Sequence, residues 1–151
     1  MVKEIILASK SEVRRKILTK NNIQCKIEPS NVDEDSVKEV LLKKKTSSTI
    51  ISKNLAELKS NKISQKFIDE IVLGADSVID LEGEIISKPK DRIEAIEILK
   101  RMNGKTHQLI SSVCISKGGS MIWNYTDRAS LTMKNMTLLE LEDYLKKISD
   151  E

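Results

Sequence analysis

Residues 5–18, IILASKSEVRRKIL, constrain the fold of this chain more than any other stretch. The apolar run from Ile5 to Ala8 reads as a short buried strand. It breaks at Ser9-Lys10-Ser11, and helical spacing follows, with Val13, Ile17 and Leu18 on one face. Ser11 is placed to cap that helix by accepting a hydrogen bond from the backbone N–H of Arg14. Arg14 and Arg15 then fall in the first turns, where a helix already carries about half a positive charge. A cation there costs about 0.3–1 kcal/mol. A bound anion reverses that cost, because free helical N–H groups and guanidinium forks both suit phosphate. The alternative is that both arginines lie on a solvated face.

The chain has 151 residues, the length of one ordinary domain with a real core. Hydrophobic residues at 39% and charged residues at 32% indicate a globular rather than a disordered chain. A net charge of +3, from 26 basic and 23 acidic groups, is too even to argue for a nucleic-acid groove or a membrane patch. Aromatics at 3% also remove the stacking platforms that single-stranded nucleic acids need. The basic cluster Lys43-Lys44-Lys45 reads as a solvated helix end. Cys25 and Cys114 lie in no Cys/His arrangement, and His107 is the sole histidine, so zinc is not expected. Both thiols read as reduced, buried small hydrophobes. With no signal peptide or membrane span in the sequence, the expectation is a cytoplasmic protein.

Along the chain, Ile23 to Glu28 alternates as a second strand that Pro29 ends, and the acidic loop Asn31 to Asp35 follows. Carboxylates this close are relieved by a helix N-terminus or by a divalent cation. Asp35 or Ser36 would cap a helix from Val37 to Lys44. A longer helix from Ser47 to Lys59 would bury Ile50, Ile51, Leu55 and Leu58, with Lys59 and Lys62 near its end, where cations suit the dipole. Asn61 to Gln65 reads as a connection. From Ile71 a strand runs into Gly74, and Asp76 is expected at or just past the strand end. Ligands collect at such ends in open α/β sheets, and an acid there can bind metal or activate water. The alternative is a turn residue bonded to local backbone.

Leu81 to Glu84 reads as a hairpin turn, and Pro89 forces Lys88 into an extended conformation. Asp91 with Glu94 starts a helix that carries Ile93, Ile96, Leu99 and Met102 inward and ends at Asn103-Gly104. Strands His107–Ser116 and Ser120–Met133 flank the glycine pair Gly118-Gly119, and His107 reads as a structural residue. Leu138, Leu139, Leu141, Leu145 and Ile148 mark a closing amphipathic helix. The residues thus describe one mixed α/β domain.

Taken in order, the segments resemble the Maf family, the septum-formation-like nucleoside triphosphate pyrophosphatases. The matching pieces are LASKSEVRR at 7–15, VDED at 32–35, NLAELK at 54–59, LGADSVI at 73–79, ISKP at 86–89 and NGKTHQL at 103–109. RASLTM at 128–133, followed by a helix, fits the closing pattern. The resemblance implies a twisted mixed sheet flanked by helices, in two lobes with a deep cleft. It implies hydrolysis of a nucleoside triphosphate between its α and β phosphates, with a divalent metal such as Mg or Mn. Carried over by position, Ser9, Arg14, Arg15, Lys59 and Lys88 would bind the substrate. Glu34 and Asp76 would hold the metal, with Asp76 as general base.

The chain also departs from the family. Val13 stands where the common opening Ser-x-Ser-Pro-Arg-Arg has its first arginine, which the family ties to thymidine and uridine nucleotides. The spacing is closer to the branch acting on methylated guanosine nucleotides, although that branch carries an aromatic at the position of Val13. Ser77 replaces the usual threonine or glutamine, so Val13 and Ser77 leave base recognition open. The sequence stops at Asp150-Glu151, where family members continue with a glycine-rich stretch, a substrate-contacting glutamine and further strands. It is therefore either a fragment or a shortened variant, and a shortened one would expose apolar surface that another copy, as in a homodimer, could cover. Two other readings stand beside the enzyme: a nucleotide-binding or regulatory protein without turnover, and a phosphate-binding module using only the first strand-to-helix turn.

Overall fold

The computed structural model describes residues 4–148; Asp150 and Glu151, where the sequence stops, lie outside them. In chain order the elements are β1 (Ile5–Leu7), α1 (Glu12–Lys20), β2 (Cys25–Ile27), α2 (Glu34–Lys43), α3 (Ser48–Ser64) and β3 (Val72–Leu81). They continue with β4 (Glu84–Ile86), α4 (Arg92–Met102), β5 (Thr106–Lys117), β6 (Ser120–Thr132) and α5 (Leu138–Lys147). Among the described residues six strands form one mixed sheet in the order β2-β1-β3-β5-β6, with β4 paired to β3. Contacts divide the chain into two compact units, residues up to 77 with 111–127, and 78–110 with those from 128 onward.

In the first unit, β1 runs parallel to both β2 and β3, with Ile6 opposite Val72 and Leu7 opposite Leu73. The ladder continues one step further, where the Ala8 N–H donates to the Leu73 carbonyl at 2.8 Å. Ile6, Ala8, Ile63 and Val72 form a core cluster with Phe67 against it. α3 is the long element here, and it buries a face of small residues, Ser52, Ala56, Ser60 and Ser64. That face lies so close to β3 that a Cβ on Gly74 would stand 2.3 Å from the Ala56 carbonyl oxygen and 2.8 Å from Ser60 Cβ. The buried hydroxyls are satisfied. Ser52 donates to the Asp76 carbonyl at 3.2 Å, Ser60 shares a 2.7 Å hydrogen bond with Ser116, and Ser64 accepts from the Gly119 N–H at 2.9 Å.

In the second unit, β3 and β4 form an antiparallel hairpin whose Glu82 and Gly83 both have positive φ, 54° and 89°. Two consecutive positive φ values are what a twisted two-residue hairpin turn requires. Leu81, Ile86 and Met102 make a core with Ile79, Ile98 and Met133 against it. The Arg92 guanidinium donates to the carbonyls of Leu145 and Ile148, so a cation at the start of α4 closes the C-terminal end of α5. α5 itself begins with a capping box between Thr137 and Glu140.

Several expectations are corrected. α1 buries no side chain, and Val13 is 67% exposed, so its apolar face is not covered within the described residues. Asp33, not Asp35 or Ser36, caps α2, because its carboxylate accepts both the Ser36 N–H and the Ser36 hydroxyl. α3 does not stop at Lys59 but continues through Asn61 to Ser64, because Ser60, Ile63 and Ser64 pack inside. Ile50, Leu58, Ile93, Leu138 and Leu139 are exposed. Cys114 is buried and its thiol is pushed up to about 11 by burial, whereas Cys25 is only half-buried. Among the described residues no helix is long and apolar enough to cross a membrane.

The Gly74 contact yields the first prediction. Gly74→Ala should lower stability by about 1–3 kcal/mol through overpacking, read as a lower urea midpoint with an unchanged slope. A midpoint equal to that of the parent would show that α3 can move away from β3 freely.

Candidate active site

The close approach of α3 to β3 fixes the polar centre of the first unit. Lys59 precedes Ser60 on α3 and is only 5% exposed. Its ammonium donates to Glu34 Oε1 at 2.8 Å, Asp76 Oδ1 at 3.1 Å and the Ala75 carbonyl at 3.3 Å. An ammonium has three protons, so Lys59 is saturated. Asp76 is 4% exposed, and its second oxygen, Oδ2, is buried without a hydrogen-bond partner. Glu34 reaches the same ammonium from the first residue of α2 and keeps part of its surface in solvent.

Burial pushes the Asp76 carboxyl above the ordinary aspartate range, outweighing the pull of Lys59 and, more weakly, of Lys38; the Glu34 charge adds to the rise. Lys38 stands one turn after Glu34 on α2 and was not singled out in the sequence. Its signal was the four-residue spacing from Glu34, which puts both side chains on one helix face.

The opening strand-to-helix turn places a second group. Ser9 is buried, and its hydroxyl oxygen accepts both the Ser11 N–H and Arg14 Nη1 at 3.1 Å. Ser11 caps α1 as expected, accepting from the Arg14 N–H at 3.3 Å. Because Ala8 is bonded to Leu73, the β1–β3 register carries Ser9 alongside the segment of β3 that leads into Asp76. Arg14 is half-buried and makes no ion pair with any described residue; its side chain donates to the neutral Ser9 hydroxyl.

Arg15 is exposed and pairs with Glu12, which raises the arginine and depresses the glutamate, so its charge is already compensated. Asp76 lies in the middle of β3 rather than at its end, and Lys59 lies inside α3 rather than at its terminus. Ser77 alternates to the other side of β3, where its hydroxyl meets that of Ser111 at 2.9 Å. Val13 is exposed, and Lys88 belongs to the second unit, exposed in the loop after β4.

No group of three or more His, Cys, Asp or Glu side chains suited to a metal occurs among the described residues. Glu34 and Asp76 both approach the Lys59 ammonium, and Asp76 Oδ2 is a buried acceptor with no hydrogen-bond partner among the described residues. That set fits a small hard cation such as magnesium, which takes one or two carboxylates and completes its shell with water and phosphate oxygens.

Residues 4–150 match the family described as Maf-like protein. The chain is 84% identical over 151 residues to a nucleoside triphosphate pyrophosphatase of Pelagibacter ubique (strain HTCC1062), covering 100% of this chain and 77% of that protein. It is 39% identical over 147 residues to a nucleoside triphosphate pyrophosphatase of Ruegeria sp. (strain TM1040), covering 97% and 74%. Among solved structures, the Ham1 protein of Staphylococcus aureus superposes with a TM-score of 0.51 at 15% identity, over 86% of this chain and 70% of that one. At that identity the likeness is one of fold.

Asp76 also makes stability depend on pH. Its folded-state pKa is raised, so the folded state holds the proton more tightly than the unfolded chain does. Its contribution to stability is therefore full below the ordinary carboxylate range and is lost as pH rises through the raised value. Urea titrations across the acid range should show Asp76→Asn gaining on the parent as pH rises; a constant difference would refute the shift. Lys59→Met should cost about 3–5 kcal/mol at neutral pH, as expected when one partner of a buried pair is removed. Part of that loss should return in acid, where Asp76 takes up its proton.

Proposed function

The chain belongs to the Maf-like protein family, and from that premise we propose that it hydrolyses a nucleoside triphosphate to the monophosphate and pyrophosphate. The observation that carries the reading is the buried Asp76 carboxylate. One oxygen is held by Lys59, and the other is unpartnered and more basic than an ordinary aspartate. A general base works best when its pKa is moved toward the working pH, and burial moves this one in that direction.

In the proposed step, Asp76 Oδ2 takes a proton from water as the water oxygen attacks phosphorus at the α–β anhydride. A new P–O bond forms, the anhydride P–O bond breaks, pyrophosphate leaves, and the proton stays on Asp76. Lys59 keeps Asp76 ionised and oriented, with its ammonium fixed by Glu34 and the Ala75 carbonyl. Arg14, held by Ser9 at the start of α1, binds phosphate together with the free N–H groups of that helix end. Glu34 and Asp76 are the residues that would hold a divalent cation such as Mg or Mn, which supplies neutralisation of phosphate charge. No covalent nucleophile is needed, because positioning and electrostatics carry phosphoryl displacement.

The test is pyrophosphate release by the purified chain from a panel of standard and modified nucleoside triphosphates, with magnesium or manganese and with chelator. Asp76→Asn should reduce the rate by about 10²–10⁴-fold, the usual contribution of a general base. The acid limb of the kcat/KM profile should lie above the ordinary aspartate value. Arg14→Ala should raise KM about tenfold, the effect of losing about 1.4 kcal/mol of binding, whereas Arg15→Ala should leave it nearly unchanged. An unchanged rate in Asp76→Asn would sink the reading. Nucleotide binding without release from any member of the panel would replace it with a binding protein.

A further inference from the structure

We propose that Lys38 is a substrate-anchoring cation, its ammonium gripping a phosphate of the incoming nucleotide beside the Glu34–Lys59–Asp76 centre. The inference rests on the nucleotide reading above and names a residue for it. The centre is built from two carboxylates around one ammonium, and that ammonium has spent its three protons on Glu34, Asp76 and the Ala75 carbonyl. With Asp76 ionised, the cluster is net negative and repels a polyphosphate. Lys59 can take a phosphate only by releasing one of its present acceptors. A cation on α2 beside this centre would draw the anion in, alongside Arg14 at the start of α1.

Lys38 meets the requirements. It follows Glu34 by four residues on α2, a spacing that stacks two side chains about 5–6 Å apart at Cβ on one helix face. α2 packs on α3, the helix that carries Lys59. Lys38 is half-buried, and its charge is felt at Asp76. It makes no ion pair or hydrogen bond with any described residue. Its neighbours differ. Lys43, on the same helix, is spent on Glu39 at 2.8 Å, and Lys62 donates to the Asn31 carbonyl at 3.1 Å. Lys38 is thus an uncommitted point charge on a long flexible stem beside the proposed base, and a lysine of that kind suits a phosphate oxygen.

The experiment compares the parent with Lys38→Met and Lys38→Arg. It reads KM and kcat for pyrophosphate release, and the Kd for α,β-methylene nucleoside triphosphates and for inorganic tripolyphosphate, at low and high salt. Lys38→Met, with an unchanged urea midpoint, should raise KM and Kd about tenfold at low salt, with the difference shrinking as salt screens the charge. kcat should stay within about twofold, the mark of an interaction made equally in ground and transition states. Lys38→Arg should restore most of the binding. Unchanged KM and Kd would overturn the assignment. So would a fall in kcat at constant KM, because Lys38 would then act only through Asp76. Were the parent to bind the analogues but release no pyrophosphate, weaker binding by Lys38→Met would keep the anchor while the hydrolytic reading fell. Absence of any binding by the parent would overturn both.

Discussion

The buried ammonium of Lys59 is the interaction on which the rest of the first unit depends. Three acceptors from two segments meet on it, Glu34 from α2 and Asp76 with the Ala75 carbonyl from β3, while Lys59 itself stands on α3. Removing Lys59 leaves the buried Asp76 carboxylate in a medium where an unpaired charge is expensive. The cluster therefore fixes the positions of α2, α3 and β3 with respect to one another. It also leaves one carboxylate oxygen without a partner. Stability alone would be served as well by apolar side chains of similar volume, since buried ion pairs seldom outperform them. A charged cluster with an orphaned acceptor is better understood through chemistry than through packing.

That cluster exists because the backbone allows it. Lys59 reaches Asp76 only because α3 lies almost against β3, and the approach is possible because Gly74 has no side chain and α3 offers Ala56 and Ser60 there. The serines on that face would be costly to bury unbonded. Each finds an acceptor or donor in β3, β5 or the turn after β5. Packing geometry and site geometry are here the same fact.

How much of this was legible in the sequence depends on the range of the signal. Local signals were readable: the Ser11 cap, the Leu81–Glu84 hairpin, the glycine pair between β5 and β6, and the start of α4 at Asp91. Signals decided by long-range contact were misread. Nothing local distinguishes Lys59 on a buried face from a lysine that suits a helix end, and nothing local carries α3 on past it to Ser64. Asp76 interrupts an apolar run and so resembled a strand end, yet the ladder continues through it because Lys59 offsets its charge. Arg14 and Arg15 looked equivalent as neighbours. Only the structure separates them, one held by Ser9 and the other spent on Glu12. Lys38 was missed because it stands among the acidic residues Glu34, Asp35 and Glu39, which make it look like one more solvated charge.

Burial and pairing act in opposite directions on Asp76, and the proposed chemistry needs both. Burial alone would favour the protonated carboxyl, which cannot accept a proton from water. A strong ion pair alone would hold the carboxylate far down the acid range, ionised but too weak a base to be useful. Here desolvation outweighs Lys59 and leaves the group raised, while the ammonium still stands 3.1 Å from Oδ1 to oppose full neutralisation. Glu34 adds to the rise twice, through its own charge and by sharing the ammonium that would otherwise serve Asp76 alone. The second carboxylate is therefore part of what tunes the first. In the proposed reaction a polyphosphate at this centre would add negative charge and raise the same proton affinity further, and a cation near Asp76 would keep the proposed base ionised at the moment of attack.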